Sequence, residues 1–257
     1  MKFIIIFFLF FNTYLYSQSA GRFIYDYKLI QDSTKKNDIS RKIMYLDISD
    51  NGSIFYDNQE YINDSILAAS NEILSKRSDK VLKKYPDYSI HLISELQNNY
   101  YKISDERLQK WKIVNEKSFI LNYEVQKAEI KFGGRTWIAW FTNQIPIPDG
   151  PYKFHGLPGL IIRIEDLTKS HIFELVAIEN KYYQRKFNFK NAISIDYNKY
   201  KILNKEYKEN PLKNLLGVEI TSTQDGLNNN EFKKKMLQYK KNQILRNNNI
   251  LEIDLLK

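Results

Sequence analysis

The chain has 257 residues, with 39 Lys and Arg against 30 Asp and Glu, a formal net charge of +9, and no cysteine. The missing cysteine excludes disulfides, thiolate metal sites, cysteine nucleophiles and the lipid-modified cysteine of a bacterial lipoprotein. A hydrophobic content of 43%, with 19 Tyr and 15 Phe, supports a sizeable core in one large β-rich domain or two small ones.

Residues 1–19 carry the parts of a secretory signal peptide: Lys2, an apolar run over 3–11, and small or polar residues up to Ala20. The apolar run is shorter than the roughly 20 residues a spanning helix needs, which argues against a membrane anchor. The expectation is a cleaved signal over 1–19 and a single domain over 20–257. The mature protein is then periplasmic or secreted and not a lipoprotein. Removing 1–19 takes away Lys2 and no acid, so the mature charge is +8. That charge suits peripheral contact with an anionic membrane surface. The segments 76–84 and 233–241 hold much of the lysine, however, and read as solvated helix faces.

Along the mature chain, 22–30, 41–48 and 53–56 mix aromatic and β-branched residues, and Asn51-Gly52 separates the last two as a hairpin turn. Over 64–85 the apolar residues Ile66, Leu67, Ile73, Leu74, Val81 and Leu82 recur near a spacing of seven, which predicts a helix closed by Pro86. Strand alternation returns over 88–93 and 99–103, then in a hairpin of 117–123 with 125–132. Gly133-Gly134 turns the chain into 135–142, and 160–164, 171–178 and 182–189 continue an antiparallel meander. Two Lys- and Asn-rich helices, 196–210 and 230–245, follow on either side of Pro211. The fold class expected is α+β, mainly β: a curved antiparallel sheet, open like a half-barrel, with a few packing helices.

The segment 150–161, GPYKFHGLPGLI, packs three glycines and two prolines before an apolar strand, so it specifies backbone shape more than side-chain chemistry. Pro158 and Gly159 occupy the central positions of a type II turn, which asks for positive φ at Gly159. The residues singled out as a motif with ligand contact are Trp137, Trp140, Tyr152, Phe154, His155, Gly156, Leu157, Pro158 and Gly159. Trp137 and Trp140 differ in strand parity, so one faces the core and the other the opposite side. Two readings stand: the block is a structural corner, or it is a loop that touches ligand from a rigid scaffold.

Gly133, Gly134, Arg135, Trp137, Ala139, Trp140, Phe141 and Thr142, then Pro146, Gly150, Pro151, Tyr152, Lys153, Phe154 and the run Gly156 to Ile161, resemble in order and spacing the signature of the GLPGLI family. These are exported proteins of Bacteroidota, and the family brings no catalytic residues to carry over. The Asn-rich tail over 247–253 is similar to the family's ending, with Ile250 where a proline is expected.

Chemistry is sparse. His91, His155 and His171 form no metal-binding spacing, and no G-x-S-x-G elbow, phosphate loop or dinucleotide fingerprint occurs. The acid pairs Asp105-Glu106 and Glu165-Asp166 read as solvated turns. No cofactor, metal or nucleic-acid partner is expected. The function expected is a non-catalytic envelope module binding an apolar small molecule or a peptide-like ligand. The alternatives are a hydrolase centred on His155, with a carboxylate orienting the ring, and a docking partner that meets another envelope protein through a strand edge.

Overall fold

The computed structural model describes residues 20–59, 78–97, 99–180, 191–213 and 228–256. The signal segment, the greater part of the helix expected over 64–85, and the strand expected over 182–189 lie outside them.

Among the described residues, twelve strands form one sheet. They are β1 (Gly21–Ile30), β2 (Ile39–Ser49), β3 (Gly52–Asp57), β4 (Lys80–Lys84), β5 (Ser89–Leu96), β6 (Asn99–Asp105), β7 (Lys112–Ile120), β8 (Tyr123–Phe132), β9 (Arg135–Thr142), β10 (Leu160–Asp166), β11 (His171–Glu179) and β12 (Ile193–Asp196). The order across the sheet is β12-β6-β5-β4-β3-β2-β1-β11-β10-β9-β8-β7. Two meanders, β1 to β6 and β7 to β11, meet at the antiparallel seam of β1 and β11. The sheet is open, with β12 and β7 as its edges. The α+β, mainly β class holds, with one departure from antiparallel pairing: β12 runs parallel to β6.

One row of the register shows why these residues pair. Phe23, Leu46, Phe55, Val81, Leu92 and Ile103 stand opposite one another on six successive strands. All six are buried. Each such side chain taken from water contributes about 1.5–3 kcal/mol, and a slip of one residue on any strand would turn its apolar set outward. From Tyr27 of β1 the same face continues across the other meander through Phe173, Ile164, Ala139 and Ala128. Between β8 and β9, Gly133 and Gly134 have φ of 61° and 79°, the geometry of a two-residue hairpin turn.

The helices are α1 (Tyr197–Glu209), α2 (Asn229–Arg246) and a 3-10 turn over Ile253–Leu256. The side chain of Asp196 caps α1, which buries Tyr200; Asn228 and Glu231 form a capping box on α2, which buries no residue.

Three expectations need correction. The C-terminal end of the stripe over 64–85 is strand β4, not helix. A spacing of seven serves either period over so few residues, and here Val81 and Lys83 share one face while Leu82 takes the other. Of the lysines there, only Lys84 is solvated, since Lys80 and Lys83 are buried. Likewise Asp105, Glu165 and Asp166 are buried, each in an ion pair.

Candidate functional site

The motif lies in the loop 143–159, which joins β9 to β10 and crosses the apolar face of the sheet. Its Asp149 is fully buried, as is Lys83 of β4, and the two form an ion pair. The Asp149 carboxylate also accepts from Ser53 Oγ at 2.6 Å, from its neighbour's N–H on Gly150 at 2.6 Å, and from the Tyr85 hydroxyl. Lys83 Nζ donates onward to Gly150 O at 2.7 Å and Phe154 O at 3.3 Å. Burial pushes the Lys83 ammonium below its ordinary value, and Asp149 beside it offsets only part of that. An ion pair this dry is tolerated because its hydrogen-bonding groups are met by partners.

Phe154, whose carbonyl is held from β4, also packs edge-on against Trp137 of β9, with ring centroids 4.9 Å apart. Six strand spacings separate β4 from β9 in the sheet. At about 4.8 Å each, that is roughly 29 Å measured along it. One residue can touch both only if the sheet curls around it. The loop therefore occupies the inside of the curved sheet, and Ile147, Tyr152, Phe154, Leu157 and Leu160 belong to its core.

A second buried network locks the other side of the loop. Lys153 Nζ donates to Asp105 at 2.8 Å and to Glu252, and the Tyr152 hydroxyl donates to the same Glu252 oxygen. Arg107 donates to Asp105 and Glu252, while its guanidinium lies 3.6 Å from the Tyr197 ring centre. Burial alone would raise the Glu252 carboxyl, but Lys153 and Arg107 beside it outweigh that and hold it low. The Asn-rich tail belongs to this lock. Asn249 accepts from Arg135 and donates to Ile30 O, and His171 meets its carbonyl at 2.8 Å. Arg135 in turn donates to Asp166 at 3.0 Å.

Trp137, Tyr152, Phe154, Leu157 and Gly159 are thus inside the protein, while Gly156 and Pro158 are exposed and Trp140 and His155 half-buried. The parity argument holds: Trp137 enters the core and donates its indole N–H to Phe132 O at 3.1 Å. Gly159 does not have positive φ, which corrects the type II expectation. The turn is tighter, with Gly159 N donating to Leu157 O at 2.7 Å. A Cβ on Gly159 would sit 2.0 Å from Thr142 O, so the glycine is required by close backbone approach.

His155 stacks on Tyr88, with centroids 4.7 Å apart and planes within 4°. Burial, aided by Lys83, brings its imidazole down to about 4, so it is neutral at pH 7. Its backbone is tied down from the segment 106–111: Gln109 accepts from His155 N, and Trp111 Nε1 donates to His155 O. Asp149, the carboxylate nearest in sequence, spends its oxygens on the bonds above. His91 and His171 lie on β5 and β11, and among the described residues no cluster of three His, Asp or Glu side chains could hold a metal ion. The partners Lys83, Asp105 and Glu252 escape sequence reasoning because they lie 48 to 100 residues from the loop residues they bind, and Arg107 acts on the loop only through Asp105 and Glu252. A signal for Lys153 was present: a lysine between Tyr152 and Phe154, with no charged stripe to belong to, is placed for burial.

Residues 133–163 match a family model described as a protein of unknown function (Porph_ging). No curated protein matches the chain. Among solved structures it is similar to PNGF-II in a C2 and in a P21 crystal form, at 16% and 15% identity, both with a TM-score of 0.53. Each alignment covers 72% of this chain and 32% or 33% of that one, so this chain spans about a third of the length of the structures it matches. At that identity the likeness is one of fold alone.

Proposed function

We propose that the chain is an exported, non-catalytic interaction module of the cell envelope, akin to the GLPGLI proteins. Its ligand is peptide-like: an extended segment of another envelope protein that adds to the open edge of β7. The observation that carries this reading is the contrast between interior and edge. The loop 143–159 takes up the apolar inside of the sheet, whereas β7 ends the strand order and leaves Phe119 75% exposed, with Leu121 55% exposed just beyond it. An edge strand offers free backbone donors and acceptors, and an added strand gains affinity from those bonds and specificity from alternate side chains. The register with β8 is regular over 117–120, past the irregularity between Ile113 and Lys117, so that stretch is the landing site. In PNGF-II a similar fold is one part of a longer chain, which suits a module. Weighing against the hydrolase alternative is the engagement of Asp149 elsewhere, which leaves the His155 ring without that carboxylate to orient it.

The test is site-specific photo-crosslinking in the native envelope, with the reactive side chain at Phe119 or at Val176, an exposed position on the interior strand β11. A discrete protein adduct from position 119 and none from 176 is expected. Equal labelling at both, or none at 119, refutes the edge-docking reading.

A further inference from the structure

On the sheet face opposite the motif loop, a cavity of about 620 Å3 opens beside the β12 edge, lined by His91, Lys102, Ser104, Ser194, Ile195, Asp196 and Lys199. We propose that this cavity binds a small phosphate monoester, held by Lys102, Lys199 and His91. The register brings the group together: His91 on β5 stands opposite Ser104 on β6, Ser104 opposite Asp196 on β12, and Lys102 opposite Ser194. These side chains alternate with Ile90, Leu92, Ile103 and Asp105, which face the loop, so the cavity is separate from the networks that hold the motif.

Three features favour a phosphate. Lys102 and Lys199 form no ion pair among the described residues, which leaves two ammonium groups for a dianion. The one carboxylate in the lining, Asp196, already accepts from Lys199 N at 2.7 Å as the cap of α1. The His91 ring lines the cavity, and Ser104 Oγ spends its hydrogen only on a long 3.4 Å contact with Ile195 O. The site opens to solvent at Ser194, Asp196 and Lys199, so an ester can place its phosphate between the lysines and leave its organic part in the mouth.

The charges around His91 agree. Burial lowers its imidazole, and Lys102 and Lys84 of β4 lower it further, against an opposing pull from Asp87 and the Ser89 backbone. A bound dianion offsets the lysines, so ligand and proton bind cooperatively at this ring.

Calorimetric titration of the full mature chain with glycerol 3-phosphate should show one saturable site, and Lys102→Gln and Lys199→Gln should each weaken it about tenfold. Lys131→Gln, an exposed position on β8, should leave it unchanged. In NMR titrations the His91 ring should take up its proton at higher pH with the ester present than without. Vesicles of phosphatidylcholine with phosphatidic acid distinguish the source: binding that needs Lys102 and Lys199 makes the ligand a lipid headgroup, and binding of the soluble ester alone makes it a metabolite. Acetate binding as tightly as the ester, lysine variants within twofold of wild type, an unmoved His91 titration, or no saturable site each overturns the proposal.

Discussion

Replacing Gly159 by alanine isolates the reason this position is glycine. Positive φ would make the cost purely conformational, whereas the structure makes it steric. The new Cβ would lie 2.0 Å from Thr142 O, 2.6 Å from Thr142 C and 3.1 Å from Asn143 Cα. Ordinary contacts start near 3.5 Å, so the loop and the end of β9 must part by about 1.5 Å. That movement strains the bonds from Gly159 N to Leu157 O and from Leu160 N to Ile145 O, at 2.7 and 3.0 Å. Overpacking costs about 1–3 kcal/mol and each weakened bond about 0.5–1.5, for a total near 3 kcal/mol. Gly156→Ala is the internal control: φ there is +87° and nothing lies within 4 Å of a Cβ, so only a conformational cost of about 1 kcal/mol applies. For a domain of this size, thermal unfolding should show Tm lower by about 6–12 °C for Gly159→Ala and about 2–4 °C for Gly156→Ala. The reverse ranking, or equal losses, would refute the close-approach argument.

The remaining predictions concern the same core. Phe154→Ala removes the ring that packs against Trp137 and Phe132. Urea unfolding should show a loss of about 3–5 kcal/mol, and a loss under 1 kcal/mol would mean that the loop does not sit inside the sheet. Burial, with Arg135 for His171 and Lys83 for His155, brings both imidazoles down to about 4. The unfolded chain takes up these protons near pH 6.5 and the folded chain resists, so stability is full above about 6.5 and falls as pH drops toward 4. Urea midpoints measured from pH 7.5 to 4.5 should follow that fall, and His171→Gln should flatten it; a midpoint independent of pH over this window would contradict the burial of the two rings.

Much of the architecture was legible because strands with one buried face alternate with period two and their turns carry Asn, Gly and Asp. β9 can be read residue for residue, Arg135 to Thr142, since Gly133-Gly134 marks its start and Trp137, Ala139 and Phe141 mark its buried side. The helix start at Asp196 was legible for a similar reason, as capping is a local interaction. Over 80–84 the reading failed because five residues carry too little periodicity to separate a strand from the tail of a helical stripe. Gly159 was noticed for the right locality and the wrong cause, because a sequence shows that a side chain is missing and not which neighbouring atom requires it.

By itself, then, the sequence determined the β-rich class, the hairpin turns, the capped helices and the importance of the glycine- and proline-rich segment: all follow from interactions within a few residues. Tertiary structure alone decided that this segment turns inward, that Lys83 and Lys153 are buried against Asp149, Asp105 and Glu252, and that His91, Lys102 and Lys199 line one cavity. A buried charge is stable only beside its partner, and those partners are supplied by strands and a C-terminal tail far away along the chain. No local pattern encodes such a meeting, because it is set by the curl of the sheet and the order of its strands.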